Sequence, residues 1–345
     1  MMVTTIGIDP HKATHTAVAI DGSEIVLDEI TIRADKDQTT KLIDWAQSVN
    51  GDGRVWAVEA ATGLGHLLSQ QLVASGETVV DVPPVLASRI RVLSSGRSNK
   101  NDENDARSVA IAALRRESLA EVKREGDTAV LRMLAKRHSE LTSLRTQAVC
   151  RLHAMLAVLR PGGMGHRLSA KQASRMLQGL RGLDAVGEQR RILAKEHLAD
   201  IRRLDRDLEA NKAQIRRAVA AADTSVTDIY GVGPVVAAFL VGYTPPIERF
   251  TTPDKYAAYN GTAPIEVSSG GKTRHRLSRR GNRTLNHAIH TAAVTQISHH
   301  TPGKVYYDRK LDEGKTNKEA LRALKRRISD AVYRRLVADA QRHSN

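Results

Sequence analysis

The sequence predicts a mixed α/β domain, then a helical region, then a basic and mainly helical C-terminal domain. Three observations support this order. Short β-branched runs alternate with helical patterns at the N-terminus, heptad repeats of apolar residues fill the middle, and positive charge accumulates toward the C-terminus. A chain of 345 residues is long enough for about one to three domains. We expect domains at residues 1–115, 116–224 and 225–345.

The N-terminal domain is predicted to contain five strands. Polar turns separate the first three apolar runs, which indicates an antiparallel meander. The last two strands each follow an amphipathic helix, so we expect parallel strands joined by helical crossovers. Pro83 and Pro84 are interpreted as the end of the last strand. The predicted strands are 4–9, 15–22, 24–35, 54–60 and 78–82, and the predicted helices are 37–49 and 64–76.

Four carboxylates occur at the ends of these elements. Asp9 ends the first strand and Glu59 the fourth, whereas Asp102 and Asp105 lie three residues apart at the start of a further helix. Strand ends meet at one edge of an α/β sheet, where four negative charges would repel one another unless cations neutralised them. Oxygen ligands favour Mg²⁺ or Mn²⁺, and two such ions about 4 Å apart promote attack on a phosphodiester. Singly, each acid is better explained as a helix cap or turn residue, so only the joint placement predicts a metal site.

The charge is unevenly distributed along the chain. Residues 1–110 contain 10 Lys and Arg against 15 Asp and Glu, a net charge of −5, so the remainder carries +20 and the whole chain +15. Residues 271–345 alone hold 18 basic and 6 acidic residues. Such an excess favours a polyanionic partner, which we expect to be nucleic acid.

A membrane is the less favoured partner. No apolar run approaches the roughly 20 residues of a membrane-spanning helix, and the N-terminus lacks the pattern of a signal peptide. The single cysteine, Cys150, cannot form an internal disulfide, which agrees with a reducing compartment. We therefore expect a cytoplasmic, nucleoid-associated protein.

The middle region contains two heptad-patterned helices. Residues spaced by seven form one seam on each helix, and polar His197 and Asn211 interrupt the second row of the later helix. Two arrangements fit this pattern, a coiled coil between chains that makes a dimer or tetramer, or a helical hairpin within one chain. We favour pairing between chains because both helices are long and amphipathic. The seam positions are Leu134, Leu141, Ala148, Met155, Ala194, Ile201, Leu208 and Ile215.

The C-terminal domain begins with a glycine turn and continues into a basic segment. Gly231 and Gly233, followed by Pro234, resemble the hairpin of a helix-hairpin-helix motif, whose turn amides can hold a DNA phosphate. Further on, "SSGG" at residues 268–271 precedes a dense run of cations; by composition alone the serines would be a flexible loop. A basic amphipathic helix is predicted for residues 317–339. The cations are Lys272, Arg274, Arg276, Arg279, Arg280 and Arg283.

Three acidic motifs carry a family resemblance. "IGIDPHK", "VEAATG" and "NKNDENDARSVA" resemble, in order and spacing, the motifs of the DEDD transposases of the insertion sequence 110 family, to which the pilin-gene DNA invertases also belong. The resemblance implies a RuvC-like, RNase H-type fold for roughly residues 1–115. It also implies that Asp9, Glu59, Asp102 and Asp105 form the metal-binding tetrad, and it suggests Lys100 as a nearby phosphate contact.

The basic segment resembles the C-terminal transposase domain of the same family. In that domain the serine directly before a glycine attacks DNA, which implies Ser269 as the nucleophile and leaves Ser268 as the alternative. The following cations would hold the scissile strand or a guide RNA. Members of the family use a bridging guide RNA, so the resemblance implies a structured non-coding guide RNA as a partner here, besides donor and target DNA. The large charge without an obvious base-reading helix is consistent with that expectation.

Two enzymatic functions and one non-enzymatic function therefore compete. The first is a site-specific transposase or recombinase that combines the tetrad with a serine nucleophile. The second is a junction-resolving nuclease of the same fold that uses metal-activated water. A nucleic-acid binder without catalysis is disfavoured by the complete tetrad.

An actin-like kinase also begins with a strand ending in Gly-Ile-Asp, but no later glycine-rich phosphate loop follows.

Overall fold

The computed structural model describes residues 4–49, 53–95, 102–116, 118–161, 169–180, 184–269, 272–277 and 281–344. The chain divides into two compact units, the first up to Glu125 and the second from Gly126 onward. The first unit therefore extends beyond the predicted boundary at residue 115. The division of the second unit into helical and C-terminal domains stays a prediction.

The first unit contains the predicted strands and helices. A mixed sheet carries helices on both faces, in the order strand, strand, strand, helix, strand, helix, strand, helix, helix, strand. The elements are β1 (Thr4–Pro10), β2 (Thr14–Ile20), β3 (Val26–Arg33), α1 (Gln38–Val49), β4 (Arg54–Glu59), α2 (His66–Ala74), β5 (Val79–Val82), α3 (Pro84–Ser95), α4 (Asp102–Leu114) and β6 (Ala120–Glu121).

The sheet has the topology of the RNase H fold. Its strand order is β3-β2-β1-β4-β5-β6, with the first three strands antiparallel and β1, β4 and β5 parallel to one another. The central position of β1 follows from the hairpin that pairs it with β2 and from the α1 crossover that returns the chain to its other edge. This arrangement confirms the predicted RuvC-like fold.

Strand β1 is buried on both faces, and its two faces contact different helices. Ile6 and Ile8 are fully buried in the cluster that contains Leu42 of α1. Gly7 points to the opposite face, where α4 lies directly on the strand. A Cβ at residue 7 would overlap the carbonyl oxygen of Ala106 and the backbone nitrogen of Ala110. The glycine therefore lets the helix backbone touch the strand backbone.

Helix α3 was not predicted from the sequence. Pro83 and Pro84 were expected to close the preceding strand, and Pro84 is instead the first residue of α3. Proline is tolerated at this position because the first turn of a helix leaves its N–H groups without intrahelical partners. The prolines thus end β5 and begin a helix at the same point.

Within its described residues, the second unit contains helices, short turns and a two-stranded hairpin. Two long helices pack on each other in antiparallel directions. One short helix, Ala170–Gly179, packs near one end of this pair, and the helices from Pro234 onward form a bundle at the other end. Short 3₁₀ turns span Ser225–Asp228 and Ile247–Arg249. The elements are α5 (Asp127–Leu159), α6 (Ala170–Gly179), α7 (Ala185–Ala221), α8 (Pro234–Gly242), α9 (Pro253–Tyr259), β7 (Pro264–Ser269), β8 (Lys272–Leu277), α10 (Arg283–Ile297), α11 (Pro302–Asp312) and α12 (Asn317–Ser344).

The heptad seams of α5 and α7 face each other within one chain. Leu141 and Leu152 of α5 pack in one buried cluster with Ile201 and Leu208 of α7. Asn211, on the second row of α7, bonds to His138 at 3.1 Å and donates its amide to the Leu134 carbonyl at 3.3 Å. The hairpin, which was the less favoured of the two predicted arrangements, therefore occupies these seams, and pairing between chains would have to use other surfaces.

The C-terminal bundle has its own core. Leu285 and Ile289 of α10 are fully buried beside Leu324 and Ile328 of α12. Gly231 has a φ of +85°, and a Cβ there would lie 2.7 Å from the Ala292 carbonyl oxygen, so the turn before α8 packs directly on α10. The predicted basic helix at residues 317–339 corresponds to α12. Among the described residues, no helix has the length and apolar character needed to cross a membrane.

Candidate metal centre

The first two acids lie at the ends of neighbouring parallel strands. Asp9 is the residue after Ile8 in β1, Glu59 is the residue after Val58 in β4, and Ile8 and Val58 are paired across the two strands. Because parallel strands end at the same edge, both carboxylates reach one rim of the sheet. Asp9 is buried and Glu59 is half-buried.

Helix α4 brings the other two acids to this rim. Its contact with β1 at Gly7 places its first turn beside the end of the strand, so Asp105 is buried and lines the same cavity as Asp9 and Glu59. Asp102 is exposed one turn earlier. Ligand atoms of Asp102, Asp9 and His11 all lie within 4.8 Å of one another. The structure therefore brings all four predicted acids to one end of the sheet. It also places there His11, which was not predicted.

The turn after Glu59 holds β4 in a fixed position at the rim. Ala60 has a φ of +48°, a conformation that residues with a Cβ adopt at a cost of about 1–2 kcal/mol. Its strain is offset by hydrogen bonds on both sides: the Ala60 N–H donates to the Val82 carbonyl at 3.0 Å, and the Ala61 N–H donates to Asp81 at 2.8 Å. This geometry turns the chain away immediately after Glu59.

Among the described residues at the rim, carboxylates outnumber cations. Burial raises the pKa of Glu59, and the negative charges of Asp9 and Asp105 raise it further. The guanidinium of Arg91 on α3 forms an ion pair with Asp105. The imidazole Nδ1 of His11 lies 3.7 Å from the Asp9 carboxylate. Only Arg91 among these groups carries a permanent positive charge, so a bound cation would relieve the remaining repulsion.

The donor set fits a divalent cation. Carboxylate oxygens are preferred by Mg²⁺ and Mn²⁺, and an imidazole nitrogen is accepted by Mn²⁺ and other transition metals. The cavity of about 370 Å³ lined by Asp9, Glu59 and Asp105 leaves room for a phosphate group beside them. Asp9, Asp102 and His11 are near enough for one ion to contact all three.

Sequence reasoning missed two residues at this rim. His11 lies two residues after Asp9 in "DPHK", and the presence of an imidazole beside a strand-end acid was the signal that could have found it. Arg91 had no such signal, because it lies on α3, which was not predicted. Its partner Asp105 lies 14 residues later in sequence, and the two meet only through the packing of α3 on α4.

The predicted residues of the C-terminal domain are described in part. Ser268 and Ser269 lie at the end of β7, opposite Thr273 and Lys272 of β8, and for these strands the structure describes the backbone alone. Arg274 and Arg276 belong to the same strand, β8. Arg283 is exposed as the first residue of α10. Lys100, Arg279 and Arg280 lie outside the described residues.

The predicted phosphate-binding turn contains two different glycines. Gly231 is held by its contact with α10, which accounts for the glycine without any ligand. Gly233 caps the N-terminus of α8 and has open space around its Cα. Only Gly233 therefore has a position from which the first amides of a helix could meet a phosphate.

Two family models match the chain. One, a DEDD transposase model of the IS110 group, matches residues 6–161, which include all four acids. The other, described as transposase of the IS116/IS110/IS902 family, matches residues 223–308, which include the β7–β8 hairpin. Together they match more than half of the sequence in the order expected from the resemblance. The chain belongs to the IS110 family of DEDD transposases.

The relatives of this transposase include proteins of other insertion elements. The "uncharacterized 44.8 kDa protein" of insertion element IS116 from Streptomyces clavuligerus is 26% identical over 95% of this chain and 93% of its own length. The "uncharacterized 42 kDa protein" of insertion element IS900 from Mycobacterium paratuberculosis is 25% identical over 98% of this chain and 96% of its own. A solved structure of T. thermophilus RuvC in complex with a Holliday junction substrate covers 35% of this chain and 99% of that one, at 16% identity and a TM-score of 0.28.

Membership of the family defines the reaction class. The transposase is an enzyme of an insertion sequence that cuts and joins DNA, and DNA is its substrate. The DEDD motifs and the fold indicate a divalent metal, for which the Asp9, His11 and Asp102 group is a candidate site.

Proposed function

We propose that this transposase cuts and rejoins DNA site-specifically with a carboxylate tetrad in the first unit and a serine nucleophile in the second. The tetrad consists of Asp9, Glu59, Asp102 and Asp105, and the nucleophile is Ser269. The observation that carries the proposal is the contact of α4 with β1 at Gly7, because it brings acids that are about a hundred residues apart in sequence to the same end of the sheet.

The proposed metal is Mg²⁺ or Mn²⁺. Asp9 and Asp102 would hold it together with His11, while Glu59 and Asp105 complete the ring of oxygen donors. A divalent cation bound there stabilises negative charge on a phosphodiester oxygen. Arg91 holds the Asp105 carboxylate at the rim and adds a positive charge on the side where a DNA phosphate would enter the cavity.

Ser269 is proposed to form a covalent link to DNA. Its Oγ would bond to phosphorus while one P–O bond of the strand breaks, so that the proton lost by the serine appears on the released hydroxyl end. The energy of the broken bond is kept in the phosphoserine, and attack by another hydroxyl can rejoin the strand without an external energy source. Ser268 is the alternative nucleophile, because the doubled serine leaves the register uncertain by one residue.

A structured guide RNA is proposed as the source of site recognition. The chain outside its first 110 residues carries a charge of +20, which supplies affinity for any phosphate backbone but no choice of sequence. Base pairing by an RNA supplies that choice while the protein holds the backbone. We expect a dimer or tetramer to bring donor and target DNA together. The proposed backbone contacts are Lys100, Lys272, Arg274, Arg276, Arg279, Arg280 and Arg283.

One observation favours a second function, a junction-type nuclease that uses metal-activated water. The acids, His11 and Arg91 all lie within the first compact unit, so cleavage by water would not need the serine of the second unit. This alternative makes the opposite prediction for the serine.

The experiment compares purified wild-type protein with Asp9→Asn, Ser269→Ala and the matched control Ser268→Ala. A plasmid that carries the gene with its flanking DNA is the substrate, with Mg²⁺ and RNA transcribed from those flanks. We expect Asp9→Asn to abolish cleavage and Ser269→Ala to abolish the protein–DNA adduct that denaturing gels detect, whereas Ser268→Ala keeps both. Cleavage by Ser269→Ala at the wild-type rate, with no adduct in the wild type, would establish the nuclease instead. Site-specific recombination that survives removal of all RNA would refute the guide.

A further inference from the structure

A second cavity lies in the C-terminal bundle, on the surface formed by α11 and α12. Its volume is about 390 Å³, which falls within the range of about 300–1,000 Å³ typical of ligand sites. Its floor is apolar and includes Ile229, Leu324 and Ile328, of which the last two are almost fully buried in the core. Val305 at its edge leaves 70% of its side chain exposed. The accessible apolar area at the cavity therefore comes mainly from Val305 and from half-buried Ile229.

The rim of this cavity is positively charged. Arg309, Arg327 and Arg334 line it, and no carboxylate is among its lining residues. Arg327 and Arg334 are spaced by seven, so they lie on the same face of α12. Arg309 is contributed by α11.

The arginines of α12 fall into two groups. Four have carboxylate partners: Arg322, Arg326, Arg335 and Arg342. Arg327 and Arg334 have no ion pair within the part of the chain that the structure describes. Among the described arginines of α12, the two without a carboxylate partner are thus the two that line the cavity. Neighbouring cations without an anion repel each other, which favours an anionic ligand between them.

Tyr306 adds a flat surface to the same cavity. Its ring is half-buried against the core, and the guanidinium of Arg327 lies 4.5 Å from the ring centroid, that of Arg309 5.2 Å. Arginine planes and tyrosine rings are the surfaces on which unpaired nucleobases stack. Arg309 also has a carboxylate partner, Glu313, at 3.7 Å, whereas Arg327 has none within the described part of the chain.

We infer that this cavity binds one unpaired nucleotide of a single-stranded nucleic acid. The base lies on the apolar floor and stacks against Tyr306 and Arg327, and the flanking phosphates contact Arg334 and Arg309. An acidic peptide would use the arginines but would leave the stacking surface without a partner. A duplex would contact the rim without entering the cavity, because its bases are already stacked. The inference does not depend on the carboxylate tetrad or on Ser269.

The experiment is site-specific photocrosslinking to the full-length protein in EDTA, where metal-dependent cleavage cannot occur. Single-stranded DNA and RNA of one sequence carry 5-iodouracil, and the same DNA is also presented as a duplex. We expect crosslinks from single strands to the peptide that contains Tyr306. When the neighbours of the iodinated nucleotide are replaced by abasic sites, the crosslink yield should stay unchanged. A competitor strand that has abasic sites throughout should compete at least about fivefold less well than the intact strand, which is the loss expected for one stacked base.

The test variant is Arg327→Gln/Arg334→Gln, and the matched control is Arg322→Gln/Arg335→Gln, which removes the same charge from the same helix. All four side chains are at the surface, so neither variant disturbs the core. The Tyr306 crosslink should fall at least fivefold in the test variant and stay near wild type in the control. For the test variant, the slope of the logarithm of the binding constant against the logarithm of the salt concentration should become less steep. The expected change is about 0.7 for each phosphate that the protein no longer neutralises.

The arms of the experiment separate the possible occupants. A decrease confined to RNA identifies a segment of RNA in the cavity, and a decrease confined to DNA identifies a displaced DNA strand; both support the inference. Crosslinking of the duplex as strong as that of single strands, equal decreases in test and control variants, or no crosslink at Tyr306 would each overturn it. Failure of the proposed serine or metal chemistry would leave these binding results unchanged.

Discussion

The two units of this transposase each contain a glycine at a point of backbone contact, and the two contacts have different consequences. Gly7 of β1 lets α4 lie on the sheet, and Gly231 lets the turn before α8 lie on α10. The first contact brings acids from separate elements to one rim. The second joins the turn before α8 to α10, whose Ile289 and Ala292 belong to the apolar core. A close approach of backbones is therefore a general packing device, and its functional meaning depends on the residues on either side.

The most damaging change in this comparison is expected at Gly7. In Gly7→Ala the new methyl group overlaps the backbone of α4, so the helix must move away from β1. We expect a decrease of about 3 kcal/mol in the free energy of unfolding of the first unit. Both tryptophans of the chain, Trp45 and Trp56, lie in this unit, so urea unfolding followed by tryptophan fluorescence reports it selectively.

The matched control is Gly22→Ala, at a glycine of the same unit with open space around its Cα. It should change the free energy of unfolding by less than about 0.5 kcal/mol. Mn²⁺ binding, measured by electron paramagnetic resonance, should weaken in Gly7→Ala and not in Gly22→Ala, because only the first change separates Asp102 and Asp105 from Asp9. Equal stability of the two variants would contradict the role given to Gly7.

The next largest effect is expected at Gly231. Alanine there adopts an unfavourable positive φ and approaches the Ala292 carbonyl oxygen, so Gly231→Ala should destabilise the second unit by about 2 kcal/mol. Gly233→Ala is the matched control, since its Cα has open space and a negative φ. Circular dichroism at 222 nm follows the unfolding, because most helices belong to the second unit. If Gly231→Ala instead weakens DNA binding with no change in stability, Gly231 acts as a phosphate-binding residue as the sequence suggested.

The fold of the first unit was predictable because its signals are local. Strand β1 and the turn before β2 could be read from one stretch of sequence, and Asp9 and Glu59 followed from the rule that parallel strands end at one edge. Helix α3 was missed because Pro84 was interpreted as a terminator, whereas proline also begins helices. Arg91 was missed because it lies on α3. Its contact with Asp105 depends on packing between helices and has no sequence signature.

The second unit was less predictable because its outcome depends on competition between partners. The heptad seams of α5 and α7 are equally suited to pairing within a chain or between chains, and periodicity does not distinguish the two. The contacts of His138 with Asn211 show which pairing occurs. Ser269 was proposed from the family resemblance, since a serine in "SSGG" has no signal of its own. The cavity at Tyr306 could not be predicted from the sequence, because its residues come from three helices and a turn.

A smaller effect, on metal affinity, is expected at Arg91. This change compares the fixed positive charge of a side chain with that of a bound metal ion in the first unit. Arg91 is paired with Asp105, so it competes electrostatically with a metal for the same carboxylates. Arg91→Gln should tighten Mn²⁺ binding several-fold, a change of about 1 kcal/mol for a partly exposed pair. Isothermal titration calorimetry measures this. Arg89→Gln, an equal charge change on the same helix, should leave the affinity near wild type. Equal tightening in both variants would attribute the effect to net charge alone.

The smallest effect is expected at His138, where the α5–α7 seam becomes sensitive to acid. Burial lowers the pKa of His138 below its ordinary value of 6.5, the hydrogen bond to Asn211 opposes that shift, and the charges of Lys212 and Glu209 on α7 have smaller and mutually opposite effects. The unfolded chain therefore takes up a proton at higher pH than the folded chain does. The contribution of neutral His138 to the free energy of unfolding is therefore fully present above pH 6.5 and is lost as the pH falls below that value.

His138→Gln should reduce this acid-induced decrease, because glutamine does not titrate. The measurement is the difference in urea midpoint between about pH 7.5 and 5.5, followed at 222 nm, where the variant should show a smaller decrease than wild type even if it is less stable at both values. His153→Gln, on the same helix, is the control and should keep the wild-type decrease. Since buried His15 and partly buried His290 also have a lowered pKa, some acid sensitivity remains in every variant. An unchanged decrease in His138→Gln would mean that the seam stays intact when His138 is protonated, and that Asn211 rather than the histidine charge controls its stability.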